Sequence, residues 1–293
     1  MLALKHWQIE ASRPLAPSND DVAEAIRYED SGGPLVITRR TTSAGDCFRL
    51  HHGLDLLVEV RPDRRIVPMA RAGLPTHTLD HFIRDQVAPR VVAHEGKFVI
   101  HAAGIRVADG AMLLVGTTGR GKSTLAASFH QSGNALLGDD AMIIDCAGAR
   151  STARAVYPSL RLLPDSIAAL YSGAVESSAI AHYSAKQRIA LPDAADFPPL
   201  PIHAIFVLAQ PTSSGISIQP MKPSHACIAM VENSFALDPA DLTLAAERLR
   251  TATQLVARLP VFEVAYPRAF ACLPEVRAAL LEQLQITECE APA

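Results

Sequence analysis

The stretch AMLLVGTTGRGKST, residues 111–124, decides how the chain is read. Gly116, Gly121, Lys122 and Ser123 satisfy the pattern G-x-x-x-x-G-K-[ST], with an apolar run before it that reads as a buried strand and LAASFHQSG after it that reads as a helix. Glycines let the backbone wrap closely enough for consecutive N–H groups to face phosphate oxygens, and the helix adds the positive end of its dipole. Residues Gly116, Thr117, Thr118, Gly119, Arg120, Gly121, Lys122, Ser123 and Thr124 are therefore the polyphosphate-binding set. Arg120 contributes through its backbone. Lys122 reaches the β- and γ-phosphates, and the Ser123 hydroxyl is placed for Mg²⁺.

Working outward, strands alternate with helices around this loop, which predicts an α/β domain. The first 75 residues carry short apolar runs (PLVITRR, CFRLHHGLDLLVEVRP, RRIVPMA) broken by DSGG, TSAGD and PDRR, the pattern of a small, largely antiparallel β-rich module. THTLDHFIRDQVAPRVVAHE, 76–95, has Leu79, Phe82, Ile83, Val87, Val91 and Val92 at helical spacing, and Pro89 is expected to kink or split that connecting helix. The expected organisation is a module over 1–75, a connecting helix over 76–95 and a nucleotide-binding domain over 96–293. In the last of these, KFVIHAAGIRV reads as strand and turn, ALLGDDAMIID as a strand pair or a strand and turn, and IHAIFVLAQ as a strand. DLTLAAERLRTATQLVARL and LPEVRAALLEQLQI read as amphipathic helices flanking the strand VFEVAY.

Composition narrows the class. With 293 residues, 49% hydrophobic and 19% charged, the chain is long enough for one large or two smaller domains. Its 27 Lys and Arg against 30 Asp and Glu give a net charge of −3, which offers no general attraction to nucleic acid or to an anionic membrane. The five cysteines, Cys47, Cys146, Cys227, Cys272 and Cys289, are scattered and free of CxxC spacing, as in reduced thiols of a cytoplasmic protein. The N-terminal MLALKHWQIEASRPL lacks the apolar core of a signal peptide, and no run approaches the length of a membrane span.

Asp139 and Asp140 stand 23 and 24 residues after Gly116. Adjacent carboxylates inside the apolar run ALLGDDAMII are costly unless a cation neutralises them, and bound Mg²⁺ would do so. The segment HAAGIRVADGAMLLVGTTGRGKSTLAASFHQSGNALLGDDAMII resembles the core of the HPr serine kinase/phosphorylase family, which has a His at a strand end, the phosphate loop, a helix and then paired acids. The resemblance spans about 45 residues. It implies a P-loop kinase fold of the HPr kinase/phosphoenolpyruvate carboxykinase type, with ATP and Mg²⁺ as cofactors and a cytoplasmic serine kinase activity. Carried over, Asp139 is the general base on the acceptor serine, Asp140 joins Ser123 in organising Mg²⁺, and His101 lies near the transferred phosphoryl group beside Lys122. Family members form hexamers, which implies a homo-oligomer.

The chain departs from the family by lacking the glycine-rich E-I-R-G-x-G signature after the acids; YPSLRLLPDSIAALY, 157–171, stands there instead. That departure weakens HPr as the acceptor, and phosphorylase activity with it, as implications of the resemblance. YPSLRLLPDS, AKQRIALP and LPVFEVAYPRAF resemble HPr-kinase-related proteins of peptide biosynthetic clusters, including those that phosphorylate a lasso-peptide precursor. That implies a peptide or small-protein acceptor carrying a serine. Arg161, Lys186 and Arg188 are the candidate cations for phosphate oxygens or an acidic peptide terminus. Two other classes fit the loop: a nucleotide-binding regulator without transfer chemistry, against which the intact Lys122, Ser123, Asp139 and Asp140 count, and a small-molecule kinase. A decarboxylating carboxykinase would need additional His and Asp ligands that the sequence does not offer.

Overall fold

The computed structural model describes residues 4–15, 25–30, 33–172, 175–191, 197–213 and 215–285. Seven strands, β1 (Gln8–Ile9), β2 (Arg13–Pro14), β3 (Ala25–Asp30), β4 (Gly33–Thr42), β5 (Gly45–His52), β6 (Leu56–Val60) and β7 (Arg65–Ala70), form one sheet in the order β1-β7-β6-β5-β4-β3, with β2 also on β7. The run from β3 to β7 is antiparallel, and only the short β1 and β2 lie parallel to β7. Alternate residues Leu35, Ile37, Phe48, Leu50 and Val58 face one apolar core, as a period of two requires.

The connecting segment forms α1 (Thr76–Phe82), a wide π-type turn over Ile83–Val87 and α2 (Ala88–His94). Pro89 lacks an N–H and so cannot close the ordinary four-residue bond to the Asp85 carbonyl; instead the Ala88 N–H reaches the Ile83 carbonyl. Phe82, Val87 and Val91 insert into the core of the N-terminal sheet. The same cluster takes in Val99, Ile143, Val156 and Tyr157 from beyond the connecting segment. Module, connecting helix and the sheet that follows therefore share one apolar core.

That second sheet contains β8 (Phe98–Ile100), β9 (Ala102–Val107), β10 (Gly110–Val115), β11 (Leu136–Asp139), β12 (Met142–Asp145) and β13 (Thr152–Ala155). After α3 (Lys122–Gln131) and the small sheet and helix formed by β14 (Leu160–Leu162), α4 (Pro164–Tyr171), β15 (Ser177–Ala179) and β16 (Gln187–Ile189), the chain returns as β17 (Leu200–Leu208). It ends with β18 (Ser217–Pro220), α5 (Pro223–Glu232), α6 (Leu242–Arg258), β19 (Val261–Ala265) and α7 (Leu273–Gln283). The order is β11-β9-β10-β17-β13-β12-β8, with β19 parallel to β17 and β18 on β19. The loop strand β10 lies between antiparallel β9 and parallel β17.

Both faces of this sheet are covered, which explains why AMLLV is apolar throughout. Met112 and Leu114 face the core shared with α3 and α7, and Ala111, Leu113 and Val115 face the core under α5 and α6. The fold is thus α/β, with a phosphate-loop core preceded by a β-rich module. Cys47, Cys146, Cys227 and Cys272 are free, and Cys289 lies outside the described residues. So do residues 192–196 of the Pro-rich stretch before β17.

A close approach at the foot of β10 makes a test of this packing. A Cβ on Gly110 would sit 2.5 Å from the Pro201 carbonyl oxygen and 2.6 Å from His203 Nε2, and a backbone atom cannot step aside as a flexible side chain can. Gly110→Ala is expected to destabilise by about 1–3 kcal/mol. A chemical-denaturation midpoint indistinguishable from wild type would show that β10 and β17 are not this close.

Candidate functional site

Residues 116–121 leave β10 and enter α3 through glycines at φ 85° (Gly119) and 93° (Gly121), conformations that side chains with a Cβ rarely adopt. Lys122, only 5% exposed, turns back over the loop, and its Nζ donates to the Gly116 carbonyl at 2.6 Å and the Thr117 carbonyl at 3.4 Å. Burial pushes its ammonium down to about 8, against the opposing pull of Asp140 and Asp139. Ser123 lines the cleft beside it. Thr124 Oγ1 lies 3.3 Å from Ser166 Oγ in the first turn of α4. Arg120 bends onto its own loop, Nε donating to Thr117 Oγ1 at 3.2 Å, and Arg268 Nη2 donates to the Gly119 carbonyl at 2.7 Å from outside.

The acidic corner arises where two strands change partners together. β8 pairs with β12, and β9 pairs with β10 and β11, so the chain crosses from one neighbour set to another at His101. The β11–β12 passage makes the same crossing at Asp140 and Ala141, antiparallel to the first. The Ala102 N–H donates to the Asp140 carbonyl at 3.2 Å, which locks the two crossings side by side. Opposite this corner stands the phosphate loop, and a cleft of about 540 Å³ joins them.

Asp140 uses both carboxylate oxygens. Oδ1 lies 2.9 Å from His101 Nε2, and Oδ2 is ion-paired with Arg161 Nη2. Burial works against its ionisation, yet Arg161 and His101 outweigh that and hold the carboxyl well below the usual range. His101 is lowered by burial and by Lys122, with Asp140 opposing, so at neutral pH it is an uncharged donor to the carboxylate. Asp139 is not among the residues that line the cleft. It is 2% exposed, and its Oδ2 accepts the Arg161 N–H at 3.2 Å. Burial and then the charge of Asp140 push it up to about 6. The two acids are thus pulled apart, one firmly ionised and one poised near neutrality.

Of the candidate cations, Arg161 on β14 is the buried partner of Asp140 and of Asp85 (Nη1 to Oδ2, 2.7 Å), and despite burial those acids keep it protonated. Lys186 lines the cleft. Arg188 pairs directly across from Arg161 in the β14–β16 register, and its Nη2 is buried without a hydrogen-bond partner among the described residues. Sequence reasoning passed over Asp85, which is contributed to the cleft wall by the wide turn of the connecting helix. The one available signal was an acid set between the apolar Ile83 and Val87, four residues before a proline.

The residues fit a polyphosphate and a hard divalent cation. Backbone N–H groups of a positive-φ loop and a buried ammonium suit phosphate, while a hydroxyl (Ser123) and a carboxylate (Asp140) suit Mg²⁺, which ordinarily takes few protein ligands. Fold and site together define an α/β phosphate-loop protein with a carboxylate-histidine corner facing the loop. No family model matches the chain, and no curated protein matches it. Among solved structures it is similar to the Hpr(Ser) kinase/phosphatase from Coxiella burnetii, at 14% identity and a TM-score of 0.33, over 63% of this chain and 97% of that one. A likeness of that size carries no functional weight, so the chain's own geometry has to supply the chemistry. Among the described residues no helix is long and apolar enough to cross a membrane.

Proposed function

We propose that the chain is a cytoplasmic ATP- and Mg²⁺-dependent kinase of the HPr kinase type that phosphorylates a serine on a peptide or small protein, such as a ribosomally made lasso precursor. The observation that supports it most is the placing of Lys122 and Ser123 across one cleft from Asp140 and His101. In this reading the γ-phosphoryl rests on the loop with Lys122 against its oxygens. The serine oxygen attacks in line, the hydroxyl proton passes to a carboxylate, the new O–P bond forms as the bond to the bridging oxygen breaks, and ADP leaves. Ser123 and Asp140 would hold Mg²⁺, which would supply neutralisation of the phosphate charge.

The base is Asp139, as the resemblance implies, a carboxyl that burial pushes up to about 6; it does not line the cleft, so this role requires the Asp139–Asp140 corner to open towards the serine. Asp140, firmly ionised and in the cleft wall, suits the cation. Incubation with Mg-ATP and candidate precursor peptides, read by mass spectrometry, is expected to add one phosphate to a serine. ATP binding without transfer to any peptide would leave the regulator reading; phosphate on a small hydroxyl compound instead would leave the small-molecule kinase.

A further inference from the structure

We infer that Asp85, on the connecting helix, is a positioning residue of this site that acts through Arg161 to keep Asp140 available to a cation. The inference rests on the proposed kinase reading and concerns a residue outside the phosphate loop and the acid pair. Arg161 is a fork held between two carboxylates, Nη1 on Asp85 Oδ2 at 2.7 Å and Nη2 on Asp140 Oδ2. His81 Nδ1, one turn earlier on the connecting helix, meets the same Asp85 oxygen. Asp85 is fully buried at its side chain, and its Oδ1 has no hydrogen-bond partner among the described residues. A buried ion pair is weak evidence of a stabilising role, so the placement of Asp85 asks for another reason.

Charge gives that reason. Arg161 brings one positive charge to a corner where Asp140 lines the cleft. Were Arg161 paired with Asp140 alone, the two would cancel and a divalent cation would meet a neutral wall. Shared with Asp85, the guanidinium is held on its far side by a second carboxylate, which leaves Asp140 less fully neutralised when it turns to a metal ion. The wide turn forced by Pro89 presents Asp85 to the same cleft that His81, Gln86 and Arg90 of this helix line. The N-terminal module, which shares its core with that helix, thereby becomes part of the site's foundation.

The test measures binding rather than turnover. Fluorescent ATP-analogue affinity is titrated against Mg²⁺ for wild type, Asp85→Asn, Arg161→Met and the double variant, with melting temperatures recorded alongside. Asp85→Asn is expected to raise the Mg²⁺ midpoint about 10–100-fold, the range in which groups that orient a metal's ligands act, while metal-free nucleotide affinity stays at the wild-type value. In the Arg161→Met background the same substitution is expected to add nothing, because the path runs through Arg161. A purely structural Asp85 lowers the melting temperature and leaves the Mg²⁺ midpoint alone, and that result overturns the inference, as does full additivity in the double variant. Wild-type protein that binds no nucleotide with Mg²⁺ overturns the kinase reading and this inference together; normal wild-type binding with an unmoved Asp85→Asn midpoint overturns this inference only.

Discussion

Lys122→Ala is expected to lower single-turnover phosphoryl transfer by about 10²–10³-fold, the usual loss when one group that stabilises developing charge is removed from a water-poor site. The ammonium is nearly sealed from solvent, and burial already weakens its hold on its proton. Phosphate oxygens arriving beside it offer stronger acceptors than the Gly116 and Thr117 carbonyls it now meets, so binding and transfer both depend on it. Lys122→Arg is the control. A planar fork cannot occupy a point 2.6 Å from the Gly116 carbonyl without displacing the loop, so retaining charge alone is not expected to restore the rate. Wild-type transfer by the alanine variant would place the phosphate elsewhere, and full rescue by arginine would mean that net charge, rather than the loop's shape, sets the rate.

The parts of this protein that were legible in sequence are those whose physics is local. GTTGRGKST declares its own conformation because only glycine tolerates the left-handed positions at 119 and 121, and the flanking apolar run declares a strand covered on both faces. The Asp139–Asp140 pair stood out because ionised acids in an apolar run need a partner. Pro89 announced the broken helix, although the form of the break, a widened turn with Asp85 in it, depended on which carbonyl found a donor. Helices α4 and α5 were not singled out, even though each begins with a proline in its first turn, at Pro164 and Pro223.

Arg161 marks where local reading stops. From sequence it was a cation for phosphate or for an acidic peptide terminus. In the fold its guanidinium meets two acids, one of them 76 positions away in the chain and on a different element. Such a partnership is created only when the connecting helix packs against the strand sheet, and no spacing rule within either segment encodes it. The same packing separates the fates of neighbouring residues: Asp140 lines the cleft, and Asp139, one residue before it, is buried and does not.

That separation makes Asp139→Asn the sharpest test of the chemistry, because stability and activity should move in opposite directions. Asparagine keeps the size and an oxygen for the Arg161 N–H but carries no charge and cannot take a proton. If Asp139 receives the serine proton, peptide phosphorylation falls about 10²–10⁴-fold while nucleotide affinity survives or tightens slightly, since a negative charge near the triphosphate is gone. Stability follows from the raised carboxyl. Its proton affinity is higher in the folded chain, about 6, than in the unfolded one, so the fold favours the neutral form. The associated stability is present below the unfolded value and is lost as pH rises through about 6, at a cost of up to about 3 kcal/mol above it. Asparagine escapes that cost, so the variant should melt higher than wild type at pH 7.5, and the gap should close as pH falls towards 4. Higher stability with intact transfer would make Asp139 a buried bystander and hand the proton to Asp140, the acid in the cleft wall. Lower stability at pH 7.5 would mean the carboxylate is held by more than the one N–H, and the burial argument for its raised proton affinity would fail.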